Sequence, residues 1–318
     1  MSATKPMIHK ASLFSTTLFS LLLATPLCQA MAPFDVEIQT GMGNTQGTLV
    51  WNIAGGDGGP NVLSELTYED VKFVEYSGSA NIHINQGILR NYTVFMSYSS
   101  GIAVDGSVQD SDYDGDDRSQ EYSRSQSSAE GSSMRDFNFG VSYPFQVTHF
   151  QQIRPMVAYT YKEQNMVMTD GVQVLDTNNP LNVGPFRNTL NSNYDTQWKG
   201  AWLGLEWGLH TQRHDLQVSV KHFWLDYYAV ADWNLRSDFA HPKSFEQWAV
   251  GTGTGLSLYY GYSLSDTFSF WLNWTQQSWS TDPGQDIVYF ADGTNGRTRL
   301  NEVSWESSGL STGLILKF

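Results

Sequence analysis

Asp110, Asp112 and Asp114 stand at alternate positions before Gly115, in the run Asp110-Ser111-Asp112-Tyr113-Asp114-Gly115-Asp116-Asp117-Arg118-Ser119-Gln120-Glu121. This is the D-x-D-x-D-G spacing of a calcium loop, with Glu121 where such loops carry their closing bidentate carboxylate. The chemistry is coherent, because a hard cation takes carboxylate oxygens and the glycine permits the sharp turn. On that reading Asp110, Asp112, Asp114 and Glu121 are the ligands, and Ca2+ is the cofactor the sequence raises without requiring. Two features point the other way. Asp117 stands where these loops usually carry an apolar residue, and no helices flank the run, so a solvated acidic loop is the alternative.

Other reactive side chains are scattered. His83, His149, His210, His214, His222 and His241 show no metal spacing of the H-E-x-x-H kind. Serines are plentiful, yet no spacing gathers one with a histidine into a recognisable hydrolase constellation. His210 and His222 are expected to line or cap an interior.

The elements that must position these residues are strands. Phe137, Phe139, Val141 and Tyr143 alternate with Asn138, Gly140 and Ser142. Leu203, Leu205, Trp207 and Leu209 alternate with Gly204, Glu206, Gly208 and His210, and Leu256, Leu258, Tyr260 and Tyr262 form another apolar face. A period of two is the signature of a strand with one apolar and one polar face. Short turns fall near 85–91, 145–152, 213–215 and 265–266, and long polar connections near 54–61, 105–133, 172–194, 235–248 and 283–300. Pairing them predicts strands over roughly 34–53, 62–84, 91–104, 134–145, 152–171, 195–212, 215–234, 249–264, 267–282 and 301–318, with boundaries good to about two to four residues. The fold class expected is all-β: a ten-stranded antiparallel transmembrane β-barrel with short turns at one end and long loops at the other. A barrel of that size is filled by its own side chains. That argues against a general diffusion porin and moves any activity to the loops at the outer rim.

Composition agrees with a barrel. Aromatic residues make up 14% of the chain, with 11 Trp, 16 Tyr and 17 Phe, while mean hydropathy is −0.35. Alternating strands reconcile these values, because only every second residue faces lipid. The Trp residues 198, 202, 207, 224, 271, 274 and 279 are expected in interfacial girdles and barrel packing. Residues 1–30 read as a signal peptide: Lys5, His9 and Lys10 precede a short apolar stretch, and small residues at Cys28-Gln29-Ala30 stand at cleavage spacing. Residues 31–318 are then the barrel domain, exported to the outer membrane of a Gram-negative cell. Cys28 is the chain's one cysteine, so the exported part has no disulfide to rely on in an oxidising periplasm. The formal net charge is −14, and −16 once Lys5 and Lys10 leave with the leader. Such a surface repels nucleic acid and suits cations or basic peptides.

With the strands laid out, the chain resembles the omptins, ten-stranded outer-membrane proteases. Ser64-Glu65-Leu66-Thr67-Tyr68 looks like their S-Q-L-x-W segment, and Val108-Gln109-Asp110-Ser111-Asp112-Tyr113 looks like their V-x-x-D-aromatic segment with its Asp pair. The terminal Gly-Leu-Ile-Leu-Lys-Phe is similar too. The resemblance implies that Asp110 and Asp112 position a water across the cleft from an Asp–His pair. Asp232 matches that Asp, but Asn234 stands where the His is expected, and an amide does not titrate as a general base. His241 lies seven residues further on, where it would have to swing back. Thr48 and Val230 replace the acids that in omptins accept a basic side chain.

Two functions follow as expectations. One is a surface endopeptidase with Asp110 and Asp112 orienting water and Asp232 and Asn234 beside them. The other is a non-catalytic barrel binding calcium or a surface ligand through 105–133. The partners expected are outer-membrane lipid and lipopolysaccharide, the outer-membrane assembly machinery, and a peptide or protein substrate. Arg154 and Lys221 are expected to point inward and pair with carboxylates such as Glu206.

Overall fold

The computed structural model describes residues 33–56 and 58–318; the signal peptide expected over 1–30 lies outside them. The strands, in chain order, are β1 (Phe34–Ile53), β2 (Ser64–Ile84), β3 (Thr93–Gly115), β4 (Ser119–Ser128), β5 (Ser133–Ser142), β6 (Phe145–Gln146) and β7 (Gln151–Asp176). They continue with β8 (Gly184–Pro185), β9 (Ser192–His210), β10 (His214–Asp232), β11 (Phe245–Ser263), β12 (Phe268–Thr281), β13 (Gly284–Tyr289) and β14 (Asn295–Lys317). Each pairs antiparallel with its neighbour. β4 and β5 share one stave between β3 and β7, β12 and β13 share another between β11 and β14, and β1 pairs with β14 to close a ring of ten.

The closure explains the terminal residue. The Phe318 N–H donates to the Val36 carbonyl at 2.9 Å, and the Val36 N–H donates to the Phe318 carbonyl at 3.2 Å. No strand edge is left open at the seam, as hydrocarbon requires.

Side-chain alternation sorts the two faces. Met42, Tyr76, Met96, Ile102, Phe139, Leu203, Leu205, Leu256, Leu272 and Leu310 are exposed on the outside, where they form the lipid-facing belt. Inside, the belt encloses polar space. A cavity of about 770 Å³ is lined by residues such as Asn81, His83, Arg154, Glu206 and Asp215, and one of about 270 Å³ by residues such as Glu75, Asp136, Lys162 and Gln277. The expected inward ion pair is present: Arg154 lies 3.3 Å from Glu206. Lys221 instead sits 4.7 Å from the Trp202 ring.

Toward the outer end the interior turns solid. Trp198 packs on Tyr227 and Trp279 with ring centroids 4.4 and 5.7 Å apart, and Phe223 packs on Trp279 at 5.2 Å. Lys162 lies 5.0 and 5.7 Å from the Trp279 and Trp305 rings, 3.4 Å from Asp136, and donates to Gln277 at 3.4 Å. Above this layer Tyr194 hydroxyl donates to Gln247, and Gln247 donates to Asp286, which also accepts from Thr298.

Two expectations are corrected here. The stretches 105–133 and 283–300 are not loops, since β3, β4, β13 and β14 carry paired strands through most of both. Above the membrane both faces of a strand meet water or polar groups, so the apolar period disappears while the backbone pairing persists. The upward extension departs from straight pairing. Register shifts fall at Glu69/Lys72 and Lys72/Phe73, with Asp70 at φ 52° and Gly106 at φ 143°.

The lumenal pair offers a test. Lys162→Met leaves Asp136 uncompensated beside a wet cavity, and the destabilisation in urea should approach the lower end of the roughly 3–5 kcal/mol seen when one partner of a buried pair is removed. Lys162→Met with Asp136→Asn should recover most of that loss. Equal destabilisation of both variants would mean that the lysine acts through packing alone.

Candidate functional site

β2 and β3 run past the belt side by side, and their pairing decides where the acidic run points. Asp110 pairs with Leu66 and Asp112 with Ser64. Val108 and Leu66 are buried inside the barrel, so alternation directs Asp110 and Asp112 inward as well. A register shift between Asp112 and Tyr113 then ends the alternation, and Asp114 is exposed.

The rest of the acidic run is already satisfied by protein. Asp116 accepts from the Asn61 N–H, Asp117 from the Asn61 side chain, and the Asp117 N–H donates to Asn61 Oδ1, each at 2.8 Å. Arg118 grips Glu65, and Glu121 is paired with Arg124. These bonds tie the β3–β4 hairpin to the segment before β2. Asp110, Asp112, Asp114 and Glu121 are not brought to one point: among the described residues no group of three or more His, Cys, Asp or Glu side chains is gathered as a metal would need.

Asp110 and Asp112 form the floor of a cleft of about 490 Å³. Its walls carry Ser123 and Ser125 from β4, Leu181, Phe186 and Arg187 from the segment after β7, and Trp233 and Arg236 from beyond β10. The Trp233 side chain lies beside Asp110, and Ser64 and Ser123 lie beside Asp112, each holding its neighbouring carboxyl down. Burial, then the negative charge of Asp112, pushes the Asp110 carboxyl up to about 8, against the pull of Arg236 and Trp233. Burial raises Asp112 as well. Arg236 does not neutralise the pair outright, because its Nε and Nη2 donate to both oxygens of Asp238 at 3.0 and 2.9 Å.

The second half of the expected constellation lies elsewhere. Tyr227, Ala229 and Ala231 of β10 are buried inside, so Asp232 projects to the opposite face. It pairs there with His241, whose Nδ1 lies 2.5 Å from Asp232 Oδ1. Neither residue lines the cleft of the Asp pair. Asn234 is fully committed to holding the chain opposite: its Oδ1 accepts from the Asn191 N–H and the Ser192 hydroxyl, and its Nδ2 donates to the Thr189 carbonyl. Sequence reasoning missed Trp233 and Arg236, which reach the Asp pair only through the barrel's closure. The Arg236-x-Asp238 spacing was the one local hint.

Comparison with known proteins places this architecture. Residues 39–318 match the model of the Protochlamydia outer membrane protein family, and the chain belongs to that family. No curated protein matches it. Among solved structures it is similar to the outer membrane protease OmpT of Escherichia coli, at 12% identity, with 90% of this chain and 97% of that chain covered and a TM-score of 0.73. The translocator domain of the autotransporter NalP from Neisseria meningitidis aligns at 12% identity over 90% of this chain and 89% of that one, with a TM-score of 0.37. The outer membrane protein OprG of Pseudomonas aeruginosa aligns at 10% identity over 89% and 95%, with a TM-score of 0.34. The OmpT likeness concerns the fold. The chain is a Gram-negative outer-membrane β-barrel.

The raised Asp110 carboxyl has a measurable consequence. Between its unfolded value of 3.8 and its folded value of about 8 the folded state binds more protons than the unfolded one, so stability falls as pH rises through that window. The urea midpoint of the refolded barrel should therefore decline from pH 5 to pH 8, and Asp110→Asn should flatten the decline. An unchanged slope in that variant would mean the proton sits on another group.

Proposed function

We propose that this member of the Protochlamydia outer membrane protein family is a surface receptor that holds a cationic ligand, the ammonium or guanidinium of a basic peptide, in the cleft above its aromatic core. One observation carries the reading. Asp110 and Asp112 lie side by side on the inward face of β3, and the guanidinium nearest to them is already engaged by Asp238. Half-buried carboxylates without full compensation favour a cation. The net charge of −14 would draw one in, and Leu181 and Phe186 offer apolar walls to the rest of a peptide.

Omptin-type cleavage draws less support. The Trp233 side chain occupies Asp110, Asp232 faces away from the pair, and Asn234 is spent on the 189–192 segment. A second reading, solute passage, is favoured by the polar space inside the belt, where the cavities of about 770 and 270 Å³ share Gln39, Ser79, Ser97, Asn138 and Tyr259 as lining. The layer of Trp198, Trp279 and Trp305 stands against it.

Titration of the refolded barrel with Lys- and Arg-containing peptides separates these readings. The receptor reading expects binding without cleavage, weakened about tenfold to a hundredfold in Asp112→Asn, the size of a lost charged hydrogen bond. Peptide fragments appearing over time would instead favour the endopeptidase, and competition by millimolar calcium would favour a metal site. Stepwise conductance of the wild-type protein in planar bilayers, with no peptide bound, would favour passage.

A further inference from the structure

Below the aromatic layer the strand register lays polar rungs across the lumen. Tyr259, Asn273, Ser311, Gly43, Glu75 and Gly101 stand at directly paired positions on β11, β12, β14, β1, β2 and β3. Their chain neighbours Leu258, Leu272, Leu310, Met42 and Tyr76 are exposed in the lipid-facing belt, so the rung itself faces inward. The next rung toward the short turns carries Trp271, Gly313, Gly41, Ser77 and Ser99. Glycines shape both. A Cβ at Gly41 would strike the Trp271 ring, and one at Gly101 would stand 2.7 Å from Glu75 Cγ. Trp271 in turn stacks on Tyr259, with centroids 6.3 Å apart and an interplanar angle of 19°.

The charges of this wall are spent on one another, while its hydroxyls are not. Arg154 faces Glu206 at 3.3 Å, His210 faces Asp215 at 2.8 Å, Lys162 faces Asp136 at 3.4 Å and Lys317 faces Glu37 at 4.0 Å. Lys221 rests on the Trp202 ring. By contrast, the hydroxyls of Thr45, Ser77, Ser79, Ser97, Ser99 and Thr275 have no hydrogen-bond partner among the described residues, and neither has that of Tyr259. Glu75 has no ion-pair partner among them, and its Oε1 accepts no hydrogen bond. The space is also blind. Its lower part reaches Ile84, Asn91, Pro144 and Gln146 at the short turns, which mark the periplasmic end. Its upper part ends beneath Trp198, Trp279 and Trp305, which are buried.

We infer that the lumen is a periplasm-facing chamber that binds a short neutral saccharide, separate from the Asp110–Asp112 cleft above the aromatic layer. A sugar carries hydroxyls that each donate and accept, as the free hydroxyls of the wall do. The Tyr259 side chain offers it both a ring face and a polar tip. Glu75 accepts from one sugar hydroxyl, and a hydrogen bond to an ionised acceptor is the stronger kind. A charged solute would have to compete with pairs that the wall has already made, and leaving one partner of such a pair uncompensated is costly. The lower cavity, at about 770 Å³, lies within the roughly 300–1,000 Å³ of small-molecule sites.

Alkylation of a cysteine placed in the chamber tests this on the refolded barrel, with heat-modifiable gel mobility confirming the fold of every variant. Ser97 lines both cavities, so Ser97→Cys, in a Cys28→Ser background, should react with iodoacetamide and be protected saturably by maltose or chitobiose. Adding Glu75→Gln should raise the half-protecting concentration about tenfold or more, the scale of a lost charged hydrogen bond. Tyr259→Ala should weaken protection as well. In intact cells a bulky impermeant maleimide should reach Ser97→Cys only after the periplasm has been opened. A folded barrel whose alkylation neither saccharide slows, or slows equally with Glu75→Gln, overturns the assignment. Labelling of intact cells from outside overturns the periplasm-facing chamber.

Discussion

The structure depends on one constraint: in hydrocarbon every backbone N–H and C=O must find a partner within the chain, each failure costing several kcal/mol. A sheet meets that constraint only by closing on itself. Here the closure runs along β1 and β14 for nearly their whole length and finishes with Val36 and Phe318 exchanging both of their backbone hydrogen bonds. Once the ring is closed, inside and outside are defined for every residue by alternation alone. That sorting places Asp110 and Asp112 within and Asp232 without.

The interior answers the same constraint in two ways. At belt depth the lumen stays polar, with Arg154 and Glu206 paired and Lys162 lodged between Asp136 and indole faces. Nearer the outer rim it becomes a packed aromatic core around Trp198, Trp279 and Trp305, none more than about 1% exposed. That core supports the rim, because strands rising from it need no lipid to hold their spacing. Binding groups mounted on such strands are held more rigidly than groups on free loops.

Much of this was legible in the residues. The alternations of Phe137–Tyr143 and Leu203–His210 identify strands 5 and 9, and the short turns locate the inner end of the barrel. The acidic run was legible as chemistry but misleading as structure. Its D-x-D-x-D-G spacing suits a calcium loop, whereas the same every-second-residue spacing on a strand puts carboxylates on one face. Above the membrane the apolar period that would have revealed a strand is gone, since both faces of β3 and β4 meet polar surroundings. The omptin resemblance anticipated the fold and the inward Asp pair. It also raised His241 as a residue that would have to swing back to stand beside Asp232, and the turn after β10 does fold back to make that contact, on the face away from the Asp pair.

The sequence by itself determined the barrel, its outer-membrane class, its acidic character and the residues available for chemistry, because those follow from composition and a period of two. Only the tertiary structure decided which of those residues meet. Trp233 reaches Asp110 because ring closure brings the end of β10 across from β3. Asn61 satisfies Asp116 and Asp117 because two hairpins lean together. His241 finds Asp232 because Phe239 pins the intervening turn. Each of these contacts joins residues that no local pattern relates, and each was settled by the register of strands distant in the chain.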